Sequence, residues 1–393
     1  MTYSPLANPA ATRALLAEFG LSAKKRLGQN FLADDNIVGR ILEVAGLNIP
    51  EVPETPEAPE APAVPNTPNT PDTPELGGRV FSAEYAGRRV TNVCTDAGGG
   101  RALSAVIEVG PGIGTLTVAL LGCADVVAIE RDEALVDVLR ATVSRYAACA
   151  PGRLAVITAD ALEVGPGEIA AACAGAGFDE SRNREFPSQA GESRKREFSP
   201  QVGESCEVGA ARLPHMVVAN LPYSIASTLV LSWLDALPFV ESMVVMVQSE
   251  VADRMCARPS TKAYGAYTVK LALRAHVTAR FQVSPTCFVP APHVESSVIR
   301  LERASALATY EPPATHEPPA SGTELVTLAS QIADAAFAQR RKTLRNSLRA
   351  RYGDAATDAM LDAAHIDGSL RAEALSPEAF VELARATCGH AGR

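Results

Sequence analysis

Three apolar runs, SAVIEV (104–109), DVVAIE (125–130) and RLAVITAD (153–160), constrain this chain most, because each is a near-continuous hydrophobic strand and helix-like sequence fills the intervals. Strands that read this way are buried on both faces, which requires helices packed on both sides of a parallel sheet. The intervals supply them as TLTVALLG and DEALVDVLRATVSRYA (132–147). The pattern resumes with HMVVAN (215–220), the helical SIASTLVLSWLDAL, SMVVMVQ (242–248), and the helix-like EVADRMCA and AYTVKLALRAH (266–276). Two more strands, VTARFQV (277–283) and VESSVIRLE (294–302), lie close enough in sequence to pair antiparallel at the sheet edge. The expected class is α/β, with a Rossmann-like sheet over 104–302.

Around this core the composition changes abruptly. Residues 8–19 and 33–46 predict short helices, joined by the basic loop AKKRLGQNFL (23–32), and Asp34 or Asp35 suits an N-cap for the second. Proline then recurs about every third residue from 52 to 75 among acids and threonines, so this stretch cannot build a core and is expected to be an extended insert. From there to about 103 the pattern is weak and rich in glycine, and 51–103 reads as one insert. A second insert, 164–213, holds the near-repeat REFPSQAGES and REFSPQVGES, which predicts duplication inside a tolerated loop. Residues 303–322 read as a Pro-rich linker, and 323–393 as a small separate helical domain.

The whole chain has 393 residues, 47% of them apolar, and its longest apolar runs are too short to span a bilayer. Arg13 and Glu18 interrupt the N-terminal segment where a signal peptide would be apolar, so a cytoplasmic location is expected. The eight cysteines show no CxxC pair and no histidine spacing suited to zinc, and no metal is expected. A net charge of −9 argues at first against nucleic acid. Its distribution reverses that inference, since 51–75 carries six acidic and no basic side chains whereas 337–352 carries six basic and no acidic ones. At helical spacing Arg341, Arg345 and Arg349 share a face, readable as a solvated surface or as a phosphate-binding one, with Leu344 and Leu348 turned to the core. Lys24, Lys25 and Arg26 admit the same two readings.

Glu108-Val109-Gly110-Pro111-Gly112-Ile113-Gly114 follows the first strand and opens a helix, so a cofactor could approach the backbone closely there. The dinucleotide pattern GxGxxG is absent, which favours a nucleoside-amino-acid cofactor over a nicotinamide one. Glu130, ending the second strand, is placed to accept from ribose hydroxyls, and Asp160, ending the third, from an exocyclic amine. Asn220-Leu221-Pro222-Tyr223 could be an ordinary turn after a strand. It also offers two acceptors, the Asn220 amide oxygen and the Leu221 carbonyl, to the two N–H groups of a flipped adenine, with Tyr223 as a stacking ring. His215 and His293 read as structural or solvated.

Taken together, KKRLGQNFL, IEVGPGIGTLT, AIERD, the Ala-Asp at 159–160, NLPYSI, FVPAPHVESSV (288–298) and FAQRRKTLRNSL (337–348) resemble the KsgA/RsmA family of ribosomal RNA adenine dimethyltransferases. The resemblance covers about 20–50, 104–163, 214–302 and 324–390. It implies a class I methyltransferase fold and S-adenosylmethionine held by Asn30, Leu32, Gly110, Glu130, Asp160 and Asn220. It also implies a target adenine held by Asn220, Leu221, Pro222 and Tyr223, with Phe288 on its other face, although a phenylalanine so placed is commonly core. The substrate it implies is 16S rRNA in the small ribosomal subunit, where two adjacent adenosines of the 3′-terminal hairpin loop are dimethylated by a monomeric enzyme. The two inserts depart from the family pattern, as does Ser249, where lysine is common. Rival readings are a large-subunit rRNA adenine methyltransferase, which shares the cofactor motifs, and a ribosome-assembly factor acting mainly by binding.

Overall fold

The computed structural model describes residues 2–21, 29–47, 80–85, 88–93, 104–178, 212–304 and 322–388. Lys24, Lys25 and Arg26, the Pro-rich stretch 52–75, the near-repeat at 184–205 and most of the linker lie outside the described residues. In chain order the N-terminal elements are α1 (Pro9–Glu18), β1 (Phe31–Leu32) and α2 (Asp35–Ala45). Asn8 caps α1 by accepting from the Ala10 and Ala11 amides, and Asp34 caps α2 through the amides of Asn36 and Ile37. Asp35 instead accepts from the Tyr3 and Ser4 amides at 2.8–3.1 Å, which ties the first residues to α2.

Next come β2 (Val80–Tyr85), β3 (Arg88–Val93), β4 (Ser104–Val109), α3 (Thr115–Leu121), β5 (Ala124–Glu130), α4 (Glu133–Tyr146), β6 (Leu154–Thr158), α5 (Pro166–Gly175) and β7 (Met216–Asn220). They are followed by α6 (Ala226–Ala236), β8 (Ser242–Gln248), α7 (Ser249–Met255), α8 (Ala266–Ala272), β9 (Ala275–Val283), β10 (Phe288–Val289) and β11 (Ser296–Arg303). The helices α9 (Gly322–Phe337), α10 (Leu344–Tyr352), α11 (Asp354–Ala363) and α12 (Pro377–Cys388) complete the chain. Every strand and helix expected over 104–302 is present within a few residues. Residues 275–276 open β9 instead of closing α8, where the Arg274 guanidinium caps that helix through the Lys270 carbonyl at 2.9 Å. The expectation of a loop insert from 164 is corrected by α5, whose Ile169, Ala172 and Cys173 are buried.

The chain divides into two units, Met1–Asn220 with Thr286–Ala291, and Leu221–Pro285 with Pro292–Arg393. In the first, strands run in the order β2, β3, β6, β5, β4, β7, and β6, β5, β4 and β7 are mutually parallel. Apolar burial drives this part: β4 is buried from Ala105 onward, and every residue of α3 is buried. The hairpin of β2 and β3 corrects the expectation for 51–103. Part of that insert belongs to the sheet, since β3 pairs antiparallel with β6 from Val90 opposite Ile157 to Val93 opposite Leu154.

In the second unit β11 lies between β8 and β9 and is antiparallel to both, as expected for an edge. Helices α9 to α12 share one core with Tyr264, Val269 and Leu273, so the expectation of a separate domain at 323–393 is also corrected. Tyr264, 1% exposed, donates its hydroxyl to the Leu375 carbonyl at 2.8 Å and meets Phe337 edge to face. Leu344 and Leu348 are fully buried in the same core.

Candidate active site

The carboxyl ends of β4, β5, β6 and β7 bring Gly110, Glu130, Asp160 and Asn220 to one edge of the parallel strands. The turn after β4 is left-handed at Gly110, Gly112 and Gly114, with φ of 64°, 59° and 90°. Only glycine holds this conformation without strain, and a Cβ at Gly112 would press on the Phe31 ring at 3.0 Å. Phe31 belongs to a buried cluster with Leu6, Leu15, Leu16, Ile113, Leu135 and Val138. The QNFL loop is thereby seated on the glycine turn. Gln29 adds a bond from its amide to Asp132 at 3.3 Å. Neither Gln29 nor Phe31 was singled out from sequence, though their place inside the QNFL motif was the available signal.

Glu130 is 7% exposed and holds the turn together, with one oxygen accepting from the Gly112 amide at 3.2 Å and the other from the Asp132 amide at 2.9 Å. Burial raises its pKa, opposed by backbone hydrogen bonds from Asp132, Gly112 and Arg131. Two carboxylate oxygens have about four lone-pair directions, so the three backbone bonds leave acceptor capacity for a hydroxyl donor. Asp160 caps the short turn Ala161–Glu163 through the Leu162 amide at 3.0 Å and pairs with Arg131 at 3.1 Å. Glu108, the first residue of the glycine motif, is fully buried and accepts from the Thr117 hydroxyl at 2.6 Å. Desolvation pushes its carboxyl up to about 8, and the neighbouring Glu130 charge adds to the rise.

Asn220 donates its amide nitrogen to the Asn30 carbonyl at 3.3 Å. A primary amide has one donor end and one acceptor end, so this bond turns the Oδ1 end away from Asn30 as an acceptor. Asn30 is carried there by β1, whose Phe31 and Leu32 pair with Val289 and Phe288 of β10. Leu32 and Phe288 are each 3% exposed, so neither the Leu32 side chain nor the Phe288 ring presents an open face in this conformation. Within the second unit, the amide of Leu221 donates to the Met246 carbonyl at 3.1 Å, and the Pro222 carbonyl accepts from Ile225 and Ala226. The Tyr223 hydroxyl shares a hydrogen bond with that of Ser296 at 2.6 Å.

The basic row fares differently. Arg341 lies in the turn before α10 and is exposed, whereas Arg345 pairs with Asp358, and Arg349 with Asp354 at 3.1 Å and Asp358 at 3.2 Å. The single cationic face expected of Arg341, Arg345 and Arg349 is therefore corrected, because α11 brings two carboxylates against it. Among the described residues, no three His, Cys, Asp or Glu side chains come together as a metal site would need. No helix there is long and apolar enough to cross a membrane.

A family model described as ribosomal RNA adenine dimethylase matches residues 101–387. The chain belongs to that family. Its relatives include the ribosomal RNA small subunit methyltransferase A of Mesorhizobium japonicum, 34% identical over 377 residues, 94% of this chain and 95% of the relative. The protein of the same name from Enterococcus faecalis is 32% identical over 395 residues, 98% of this chain and 97% of the relative. A crystal structure of a dimethyladenosine transferase from Plasmodium falciparum superposes with a TM-score of 0.50 at 19% identity, covering 72% of this chain and 89% of that one, and so shows the fold. As a member of the dimethylase family the chain is an rRNA adenine dimethyltransferase that uses S-adenosylmethionine. The donor set fits that cofactor, since a buried carboxylate with acceptor capacity left stands beside a turn of three left-handed glycines, where the backbone carries no side chains.

Proposed function

We propose that this enzyme transfers two methyl groups in turn to the N6 of each of two adjacent adenosines in the terminal hairpin loop of 16S rRNA. The orientation of Asn220 carries the reading: with its nitrogen bonded to the Asn30 carbonyl, its oxygen is the end available to an amine N–H. An aromatic amine is a poor nucleophile because its lone pair is delocalised into the ring. Accepting a hydrogen bond from one N–H at Asn220 and from the other at the Leu221 carbonyl localises that pair, which is catalysis by positioning and fixed dipoles. When bound, S-adenosylmethionine supplies an electrophilic methyl on a sulfonium. No strong base is required, because the proton leaves from an already cationic product.

In this reading Glu130 takes the ribose hydroxyls, Asp160 the cofactor's adenine amine, and Gly110, Asn30, Leu32 and Asn220 contribute the surrounding contacts, Leu32 through its backbone. Tyr223 stacks on the target base, held by the turn that Pro222 fixes, and Phe288 meets the opposite face after uncovering its ring. Phosphate contact falls to Arg341 and to Lys24, Lys25 and Arg26, with Arg345 and Arg349 contributing less because acids already engage them. The relatives named for the small subunit support that target over the large one. We further infer a cytoplasmic monomer. The test is to incubate the enzyme and cofactor with unmodified small and large subunits and to map dimethyladenosine in each. Two adjacent sites in the terminal small-subunit hairpin are expected. Modification of large-subunit RNA alone, or none, overturns the proposal.

A further inference from the structure

Stacking on an adenine needs only the face of an aromatic ring, and a phenylalanine would provide it. Tyr223 carries a hydroxyl as well, and the structure commits that hydroxyl to one partner, the Ser296 hydroxyl at 2.6 Å, within the normal range for two hydroxyls. Ser296 is 0% exposed and opens β11, where its backbone is paired on one side with Gln248 and on the other with Val283. It is an anchor fixed on both flanks, whereas Tyr223 sits half-buried in the turn between β7 and α6. The next residue, Ser297, faces the other side of the sheet as strand alternation requires, where it meets Ser249 at 3.1 Å and Arg280 at 3.4 Å. The polar group around Arg280 therefore does not compete for the Tyr223 hydroxyl.

We propose that Ser296 is a positioning residue whose hydroxyl fixes where the long axis of the Tyr223 ring lies, and with it the place at which the target base is stacked for methyl transfer. This rests on the reading of Tyr223 as the stacking ring. The demand on that placement is greatest in the second transfer at each adenosine. One N–H has by then been replaced by a methyl, so the amine is held by a single hydrogen bond, and stacking must supply the orientation the lost bond gave.

The experiment compares Tyr223→Phe, Ser296→Ala, the double variant and Tyr223→Ala on unmodified small subunits. It measures single-turnover rates, KM for the subunit, and the ratio of monomethyl- to dimethyladenosine. Tyr223→Phe and Ser296→Ala should each slow the second transfer by roughly tenfold, a modest loss for a misaligned reactant, with KM changed less than about threefold. Monomethyladenosine should accumulate in both. The double variant should be no slower than either single one, because both remove the same bond. Tyr223→Phe preserves the ring and keeps the test decisive if Ser296→Ala folds poorly. A full rate and normal product ratio in Tyr223→Phe, with a large loss in Tyr223→Ala, overturns the tether and leaves the stacking reading intact. Additive losses in the double variant also overturn the tether. Full activity in Tyr223→Ala overturns the stacking reading itself.

Discussion

The strand-end rim of the first unit and the arginine row of the second are both regular series of polar side chains, and their surroundings give them opposite characters. On the rim, Glu130 is held by backbone amides and Asn220 by a backbone carbonyl, so each is oriented by partners that cannot rotate away and each keeps an acceptor in reserve. On α10, Arg345 and Arg349 are engaged by the side chains of Asp354 and Asp358, which consume the charge that a phosphate would have met. Backbone partners orient a functional group and leave it usable, whereas side-chain counterions neutralise it.

Breaking the rim should cost far more than breaking the row. Asn220→Ala should lower the methyl-transfer rate by on the order of a hundredfold or more, the scale of losing one preorganised polar contact at a reacting centre, with an unchanged circular dichroism spectrum. A near-normal rate in purified protein would remove Asn220 from the rim's chemistry. Next, Glu130→Ala should weaken S-adenosylmethionine binding by about 1.5–3 kcal/mol in calorimetric titration, the range for hydrogen bonds to a charged acceptor.

Glu108 sharpens the comparison within the rim, since its partner is a side chain and its carboxyl is raised from the ordinary 4.5 to about 8. A group raised on folding stabilises the native state fully below its unfolded value and loses that contribution as pH climbs to the folded value. Stability should therefore fall between about pH 4.5 and 8, by about 1.4 kcal/mol per pH unit for one retained proton. In Glu108→Gln that share of the slope should vanish, leaving the part due to Glu130, as read from urea midpoints across the range. The smallest effect is expected on α10. Arg345→Gln with Arg349→Gln should cost about 0–1 kcal/mol, as partly exposed ion pairs do, and barely alter the salt dependence of subunit binding. Arg341→Gln should reduce that slope by about 0.7–0.9 if it meets one phosphate. Equal slope changes in the two cases would show that the acids on α11 yield to RNA.

The contrast between rim and row also marks what the sequence reveals. Long apolar strands ending in Gly110, Glu130, Asp160 and Asn220 are legible because burial on both faces writes a continuous hydrophobic run, and topology places the ends of parallel strands on one edge. Two-residue strands such as Phe31–Leu32 and Phe288–Val289 have no periodicity to read. Tyr264 stands in a polar turn, so nothing local announces that it completes the core of α9 to α12. Helical spacing tells which arginines share a face, but the acids of the following helix that close over it depend on tertiary packing.

The pairing of β3 with β6 bears on how the protein could be shortened. Backbone N–H and C=O groups along Leu154–Ile157 are satisfied on that side by residues 90–93, which lie inside the segment that sequence alone marks as an insertion. A deletion confined to the proline repeats at 52–75 leaves this ladder intact. One that also removes 80–93 turns β6 into a bare sheet margin, open to strand addition by a second chain, so its first symptom should be self-association and lost solubility while the catalytic rim a few residues away remains correctly built.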